Sequence, residues 1–159
     1  MKTAVIYYSY QGNCALVAEA IKGELNAEVF ELKTVDTKKQ KGFFLILWGA
    51  FQVIRNKKPE LQPLSVDINS FDLIILGTPV WAGSPAPAMV SFLSKTEIKE
   101  KKIALFCSHG GGKGDVFNKF KALLPGNTIA GEIDFTNPAK GGRAALKEQI
   151  GEWAKTLGT

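Results

Sequence analysis

The chain has 159 residues, of which 45% are hydrophobic and 22% are charged, and this composition is ordinary for a globular domain that buries a real core. No stretch reaches about 18 consecutive apolar residues, and the N-terminus lacks the apolar region and cleavage site of a signal peptide, so neither a membrane-spanning helix nor a secretory leader is predicted. Two cysteines, Cys14 and Cys107, suggest no disulfide framework, and a cytoplasmic location is expected.

Positive charge is concentrated in one segment. The net charge is +5, but residues 33–58 alone carry seven basic side chains against one acidic side chain, Asp36. We call residues 33–58 the basic segment. Its basic side chains are Lys33, Lys38, Lys39, Lys41, Arg55, Lys57 and Lys58. Local charge of this kind favours acidic partners, and no nucleic-acid partner is predicted.

The pattern of apolar residues predicts strands that alternate with helices. Short apolar runs rich in β-branched and aromatic residues indicate strands, and apolar residues three and four apart indicate helices. The predicted strands are 3–8, 27–33, 71–78, 102–108 and 128–136. The predicted helices are 13–25, 42–54, 86–95, 114–124 and 142–157. The third strand is expected to stop at Gly77 and Thr78, and residues 34–42 are expected to form a mobile loop.

Five β-α units predict one α/β domain spanning residues 1–159, a doubly wound three-layer sandwich with helices on both faces of a parallel sheet. In such a sheet the ligand lies beyond the carboxyl ends of the strands, where the strand order reverses. The loops after the first, third and fourth strands are therefore the candidate functional loops.

The first candidate loop is Ser9–Cys14, which leads directly into a helix. A helix N-terminus has unpaired amides and partial positive charge, so Ser9, Gln11, Asn13 and the amides from Gly12 onward could surround a phosphate. The alternative is that Ser9 and Asn13 only cap the helix. Both interpretations stay open from this loop alone.

The second candidate loop, "GTPVWAGSPAP" at 77–87, places Trp81 between small residues at a strand end. An exposed indole beside glycines suits the face of a flat aromatic ligand, whereas the alternative is that Trp81 packs under its own loop.

The third candidate loop, "CSHGGGKGD" at 107–115, contains four glycines and the only histidine, His109. Glycine-rich backbone can wrap the edge of a ring. A nucleoside-triphosphate loop is not indicated, because its Lys-Ser or Lys-Thr ending is absent, and an esterase is not indicated, because no G-x-S-x-G elbow occurs. His109 is expected at the surface or against a ring, and Cys14 is expected to face its loop without acting as a nucleophile.

Together the three loops resemble those of the flavodoxin family, from "AVIYYSYQGNCALVAEAI" through "DLIILGTPVWAGSPAPAMVSFL" to "LFCSHGGGKGDVF". The resemblance implies a flavodoxin-like five-stranded parallel sheet of order 2-1-3-4-5 and FMN as cofactor, with no metal. The residues implied to bind FMN are, for the phosphate, Ser9, Tyr10, Gln11, Gly12, Asn13 and Cys14, and for the ring, Thr78, Pro79, Val80, Trp81, Ala82, Gly83, Ser108, His109, Gly110, Gly111 and Gly112.

Two departures from the family pattern concern the cofactor site. The family's phosphate loop usually has Thr where this chain has Gln11 and Cys14, so hydroxyl donors are lost while backbone amides are kept. The second ring-binding loop has no aromatic residue, so the second face of the ring is covered by His109, is covered by the glycine backbone, or stays open; these alternatives remain open.

Three functions follow as hypotheses. The first is low-potential electron transfer by a flavodoxin-like carrier, in which no side chain acts as an acid or base and FMN supplies the redox chemistry. The alternative is an NAD(P)H-dependent FMN reductase of quinones or similar acceptors, for which an open ring face would leave room. The third is a membrane-surface module, because basic residues flank the apolar run at 42–54. That run is apolar on nearly all sides, which argues against membrane association.

Overall fold

The computed structural model describes residues 1–36 and 43–158, and of residues 43–46 it describes the backbone alone. The strands are β1 (Thr3–Tyr8), β2 (Glu28–Leu32), β3 (Leu73–Trp81), β4 (Ser84–Pro85), β5 (Lys102–His109) and β6 (Thr128–Thr136). The helices are α1 (Asn13–Leu25), α2 (Phe43–Ile54), α3 (Pro87–Lys95), α4 (Val116–Ala122), α5 (Pro138–Gly141) and α6 (Arg143–Thr156), with one 3-10 turn at Ile68–Ser70. The predicted mobile loop, 34–42, lies outside the described residues from 37 to 42.

The sheet has the order β2-β1-β3-β5-β6, and all of these neighbours pair in parallel. The short strand β4 pairs antiparallel with the end of β3. When β4 is set aside, the order is the predicted 2-1-3-4-5, so the α/β doubly wound, flavodoxin-like fold is confirmed. The order reverses between β1 and β3, which places the ligand-binding edge at the carboxyl ends of these two strands.

Both faces of the sheet are buried, which explains why the central strands are continuously apolar rather than alternating. Successive side chains point to opposite faces. Ala4, Ile6 and Tyr8 therefore belong to one core with residues of α3 and α4, whereas Val5 and Tyr7 belong to the other core with residues of α1 and α6.

The expected end of the third strand at Gly77 and Thr78 is wrong. Strand β3 continues to Trp81, where it forms a hairpin with β4. Gly77 lies inside the strand because the ring of Phe106 occupies the place of a side chain: a Cβ on Gly77 would lie 1.9 Å from Phe106 Cζ. The Thr78 hydroxyl accepts a hydrogen bond from the Ala86 amide at 2.9 Å, which fixes the hairpin to the start of α3.

Helix α2 covers part of one sheet face and exposes large apolar side chains on its outer side. The exposed fractions are 52% for Leu47, 47% for Phe51 and 79% for Ile54. No helix within the described ranges is both long enough and apolar enough to cross a bilayer. Helix α5 was not predicted, since a single turn after a strand gives no periodic signal.

Candidate functional site

A cavity of about 270 Å³ lies at the carboxyl edge of the sheet, beside the point where the strand order reverses. We call it the first cavity. Residues of all three candidate loops meet there. Its lining residues are Ser9, Tyr10, Gln11, Asn13, Cys14, Gly49, Ala50, Pro79, Val80, Trp81, Ala82, Ser108, His109, Gly110 and Asn137. None of them is Asp, Glu, Lys or Arg, so the site acts through dipoles and neutral hydrogen-bonding groups.

One end of the first cavity is the N-terminus of α1. Gly12 is the N-cap residue with φ of 92°, and it has no side chain with which to cap the helix. The Asn13 and Cys14 amides have no hydrogen-bond acceptor among the described residues, as expected for the first turn of a helix. The space around a Cβ on Gly12 is open to beyond 4 Å. Unpaired amides with free space beside them can receive a phosphate.

The side chains of the first loop support both sequence interpretations, capping of α1 and binding of a phosphate. Ser9 Oγ accepts a hydrogen bond from the Ala15 amide at 3.2 Å, so Ser9 does stabilise the start of α1. Asn13 is the first residue of the helix and does not cap it. The Ser9 hydroxyl hydrogen has no acceptor in the part of the chain that is described, so this group can still donate to a ligand.

The Cys14 thiol connects the first loop to the third. Its Sγ lies 3.0 Å from Ser108 Oγ, and Cys14 is almost fully buried. Burial raises the pKa of the Cys14 thiol to about 12, against which the hydrogen bond from Ser108 acts only weakly. A thiol that stays protonated at neutral pH is a poor nucleophile, which agrees with the structural role expected for Cys14.

Trp81 belongs to a group of four aromatic rings, Tyr8, Tyr10, Trp48 and Trp81, which we call the aromatic cluster. The Trp81 ring centroid lies 5.5 Å from that of Tyr10, 5.6 Å from that of Trp48 and 6.2 Å from that of Tyr8, in each case near edge-to-face. A Cβ on Gly49 would lie 3.4 Å from two carbons of the indole, so the backbone of α2 also packs against this ring. Trp81 is half-buried and packs on α2 rather than under its own loop.

Two residues hold the third loop in place: Asp134 near the end of β6, and Asn137 just after it. His109 Nδ1 accepts from the Gly112 amide at 3.0 Å, so the ring proton is on Nε2, which lies 3.0 Å from Asp134 Oδ2. Lys113 donates to the other oxygen of Asp134 at 2.7 Å. These two hydrogen bonds, from Lys113 first and from His109 second, lower the pKa of Asp134. His109 thus fixes the shape of its own loop.

Asn137 adds a second tie to the same loop. Its amide donates to the His109 carbonyl at 2.9 Å, and its side-chain Nδ2 donates to the Gly110 carbonyl at 3.2 Å. The edge of the first cavity formed by the third loop is therefore built before any ligand arrives.

Twelve of the predicted site residues line the first cavity, and five do not. Those outside its lining are Gly12, Thr78, Gly83, Gly111 and Gly112. Three lining residues were not predicted. Asn137 follows the last strand, and the rule that strand ends converge could have found it, whereas Gly49 and Ala50 lie in a helix that carried no signal of a site.

Comparison with known proteins identifies related folds and a family. Residues 1–123 match the family described as NADPH-dependent FMN reductase. A flavoprotein from Lactobacillus acidophilus NCFM, solved in complex with FMN, is 24% identical over 96% of this chain and 98% of its own, with a TM-score of 0.76. The apo-form of the flavoprotein from Lactobacillus acidophilus NCFM is 29% identical over 87% and 95%, with a TM-score of 0.64.

Oxidised Flavodoxin 1 from Bacillus cereus is 19% identical over 98% of both chains, with a TM-score of 0.56. No curated protein matches the chain. The family match confirms FMN as the predicted cofactor and an FMN-binding flavoprotein as the predicted class. It also refines the resemblance: the fold is flavodoxin-like, but the matched family is the reductase one.

Proposed function

Because the chain belongs to the NADPH-dependent FMN reductase family, we propose that it is an oxidoreductase that binds FMN in the first cavity and takes reducing equivalents from NADPH. The match over residues 1–123 carries this proposal, since it includes all three loops of the first cavity. When bound, FMN supplies the redox chemistry, and the protein supplies binding and orientation.

The residues of the first cavity fit FMN at its phosphate end. The unpaired Asn13 and Cys14 amides lie at the positive end of α1, and the Ser9 hydroxyl adds a neutral donor. None of the described lining residues carries a carboxylate that would repel a phosphate. Neutral donors of this kind replace the charged side chains that many phosphate sites use.

The other end of the first cavity fits a flat ring. Trp81 and Tyr10 supply aromatic surface, and Ala82 and Gly110 bring backbone groups to the edge of the cavity. Among the described residues, the third loop offers no aromatic side chain opposite Trp81, so one face of a bound ring would be left to a second molecule. This is the feature that favours direct reduction by a nicotinamide over a closed carrier site.

The phosphate assignment is tested by titrating the FMN-free full chain with FMN and with riboflavin, which has the same ring without the phosphate. Quenching of flavin fluorescence measures the two dissociation constants. We expect FMN to bind at least about tenfold more tightly, because each hydrogen bond to a charged group contributes about 1.5–3 kcal/mol. Equal affinities for FMN and riboflavin would refute the assignment of the phosphate to the N-terminus of α1.

The reductase assignment is tested on the FMN-saturated chain under anaerobic conditions. NADPH alone is expected to bleach the flavin absorbance, and NADH serves as the matched control for the extra phosphate of NADPH. If dithionite bleaches the flavin but NADPH does not, the reductase function is refuted while the FMN site stands.

The exposed charge of the basic segment favours a second candidate, electron transfer to an acidic redox protein. Lys33, Arg55, Lys57 and Lys58 are exposed, and the other basic side chains of the segment lie outside the described residues. A carrier of this kind would need a separate reductase, and its electron-transfer rate would fall steeply with added salt. Salt-independent transfer would exclude this use of the basic segment.

A further inference from the structure

A second cavity, of about 430 Å³, shares the lining residues Ser9, Tyr10 and Trp81 with the first. We propose that this second cavity binds an uncharged, flat aromatic molecule that carries a carbonyl oxygen on its edge, with Tyr8 donating a hydrogen bond to that oxygen. The lining residues are Tyr8, Ser9, Tyr10, Glu31, Leu32, Lys33, Thr34, Asp36, Trp48, Gln52, Pro59, Trp81, Pro87 and Ala88. Unlike the first cavity, the second cavity is lined by the end of β2 and the start of α3, and the proposal does not depend on the function proposed above.

The aromatic cluster makes the second cavity suited to a flat ring. All four rings of the cluster line it, whereas only Tyr10 and Trp81 line the first cavity. The Tyr10 and Trp48 rings are tilted by 39° with centroids 5.9 Å apart, and Trp48 meets Trp81 at 67°. Rings set at angles to one another present both faces and edges, which are the surfaces that aromatic ligands prefer.

Tyr8 supplies the polar group that would orient such a ligand. Tyr8 is only 7% exposed, and its hydroxyl has no hydrogen-bond partner within the described ranges. Across those ranges, the fully enclosed side-chain polar atom without a partner is Trp153 Nε1. The Tyr8 hydroxyl therefore still reaches open space, and the space that its side chain lines is the second cavity.

The buried position of Tyr8 also fixes its protonation state. Burial, with smaller effects of Tyr10 and Glu31, raises the pKa of Tyr8 to about 12. The hydroxyl is thus a hydrogen-bond donor at neutral pH that lacks an acceptor. A donor that opens onto the second cavity can bind a ligand there, and a carbonyl oxygen on the ligand would provide the acceptor.

The charges around the second cavity favour an uncharged ligand. Lys33 Nζ lies 3.7 Å from Glu31 Oε2, so the lysine is compensated by a neighbouring carboxylate. Asp36 lines the same side. Within the described residues, a phosphorylated or polyanionic ligand would therefore find no uncompensated ammonium group in the lining of the second cavity, which disfavours it.

The experiment uses 2-acetylnaphthalene as the probe and 2-ethylnaphthalene as its matched analogue without the carbonyl. The full chain contains three tryptophans, so its indole N–H signals in NMR report on both sides of the sheet. Trp48 and Trp81 line the second cavity, while Trp153 belongs to the opposite core. We expect saturable shifts of the Trp48 and Trp81 signals and none of the Trp153 signal.

Tyr8→Phe and Tyr7→Phe form a matched pair, because Tyr7 is the next residue of β1, equally buried, but on the opposite face. The acetyl probe is expected to bind about three- to tenfold more tightly than the ethyl analogue, the worth of one hydrogen bond. Tyr8→Phe should abolish that preference and Tyr7→Phe should keep it.

Four outcomes would overturn the proposal: no saturable shift, equal shifts of all three indoles, a preference that survives Tyr8→Phe, or displacement of the probe by FMN. Repeating the titration on the FMN-saturated chain separates the two sites. Persistent shifts support a second site, whereas displacement of the probe by FMN assigns it to the first cavity. Failure of FMN binding or of reduction by NADPH would refute the proposed function, but it would not bear on the proposal for the second cavity.

Discussion

Gly77→Ala is expected to destabilise the protein far more than a single methyl group suggests. A Cβ at this position would lie 1.9 Å from Cζ and 2.1 Å from Cε1 of Phe106, whereas carbon atoms in contact are about 3.5–4.0 Å apart. The ring would have to move by about 1.6 Å or more. Phe106 is fully buried and packs edge-to-face on Phe135 with ring centroids 6.4 Å apart, so no free space receives it.

We expect a loss of about 3 kcal/mol, at the upper end of the usual range for overpacking. This is a large share of the roughly 5–15 kcal/mol by which domains are stable. The measurement is urea unfolding followed by circular dichroism, with the free energy of unfolding taken by linear extrapolation.

A double-mutant cycle identifies the cause of this loss. Phe106→Ala alone should cost about 3–5 kcal/mol. In the double variant the methyl group added by Gly77→Ala should cost almost nothing more, because the ring that it would strike is gone. Gly23→Ala in α1 is the control, since nothing lies within 4 Å of its Cβ, and it should stabilise by about 0.5–1 kcal/mol. Additivity of the two core substitutions within about 0.5 kcal/mol would refute the steric explanation.

Three further predictions concern titration, the phosphate loop and the third loop. Burial raises the pKa of the Cys14 and Cys107 thiols from 9.0 to about 12, so the unfolded state loses these protons at lower pH than the folded state does. The free energy of unfolding should therefore fall as pH rises from about 9 to about 12. Urea unfolding at a series of pH values should show a shallower fall for Cys107→Ala. Gly12→Ala should cost about 1–2 kcal/mol, because φ of 92° is left-handed, and should weaken FMN binding in the fluorescence titration; unchanged stability would contradict the backbone assignment. Asp134→Asn should lower the free energy of unfolding by about 1 kcal/mol at pH 7, because it weakens the contact with Lys113. Since the pKa of Asp134 is lowered in the folded protein, the difference in stability between the variant and the unmodified protein should vanish as pH falls through the carboxylate range. A difference that stays constant to low pH would argue against the ion pair.

Most of the fold could be predicted from local patterns, and the errors have a common physical origin. Strand β1 and helix α1 begin and end at the predicted residues, because a buried strand and an amphipathic helix each leave a periodic signal. The end of β3 was missed because Gly77 was interpreted as a strand terminator. Its actual reason is the Phe106 ring on the neighbouring strand, a contact between residues far apart in the chain that no local pattern contains.

The residues of the candidate site likewise fall into two groups, those that local patterns predict and those that depend on the packing of distant segments. The three loops follow predicted strands, and the parallel sheet brings their ends together, so most lining residues could be named in advance. Trp48 and Gly49 could not, since their closeness to Trp81 depends on how α2 packs across the strand ends. The second cavity depends on that same packing and leaves no trace in the sequence.

The hydrogen bonds that Asn137 donates to the third loop, and those that Asp134 accepts from it, affect how a ligand is bound. A glycine-rich segment is ordinarily costly to immobilise, because glycine has the most conformational freedom to lose. Here the loop loses that conformational entropy when the polypeptide folds, because Asn137 donates hydrogen bonds to the His109 and Gly110 carbonyls. Preorganisation of this kind leaves more of the contact energy for affinity, and calorimetry of FMN association should accordingly show a smaller entropic penalty than for Asn137→Ala.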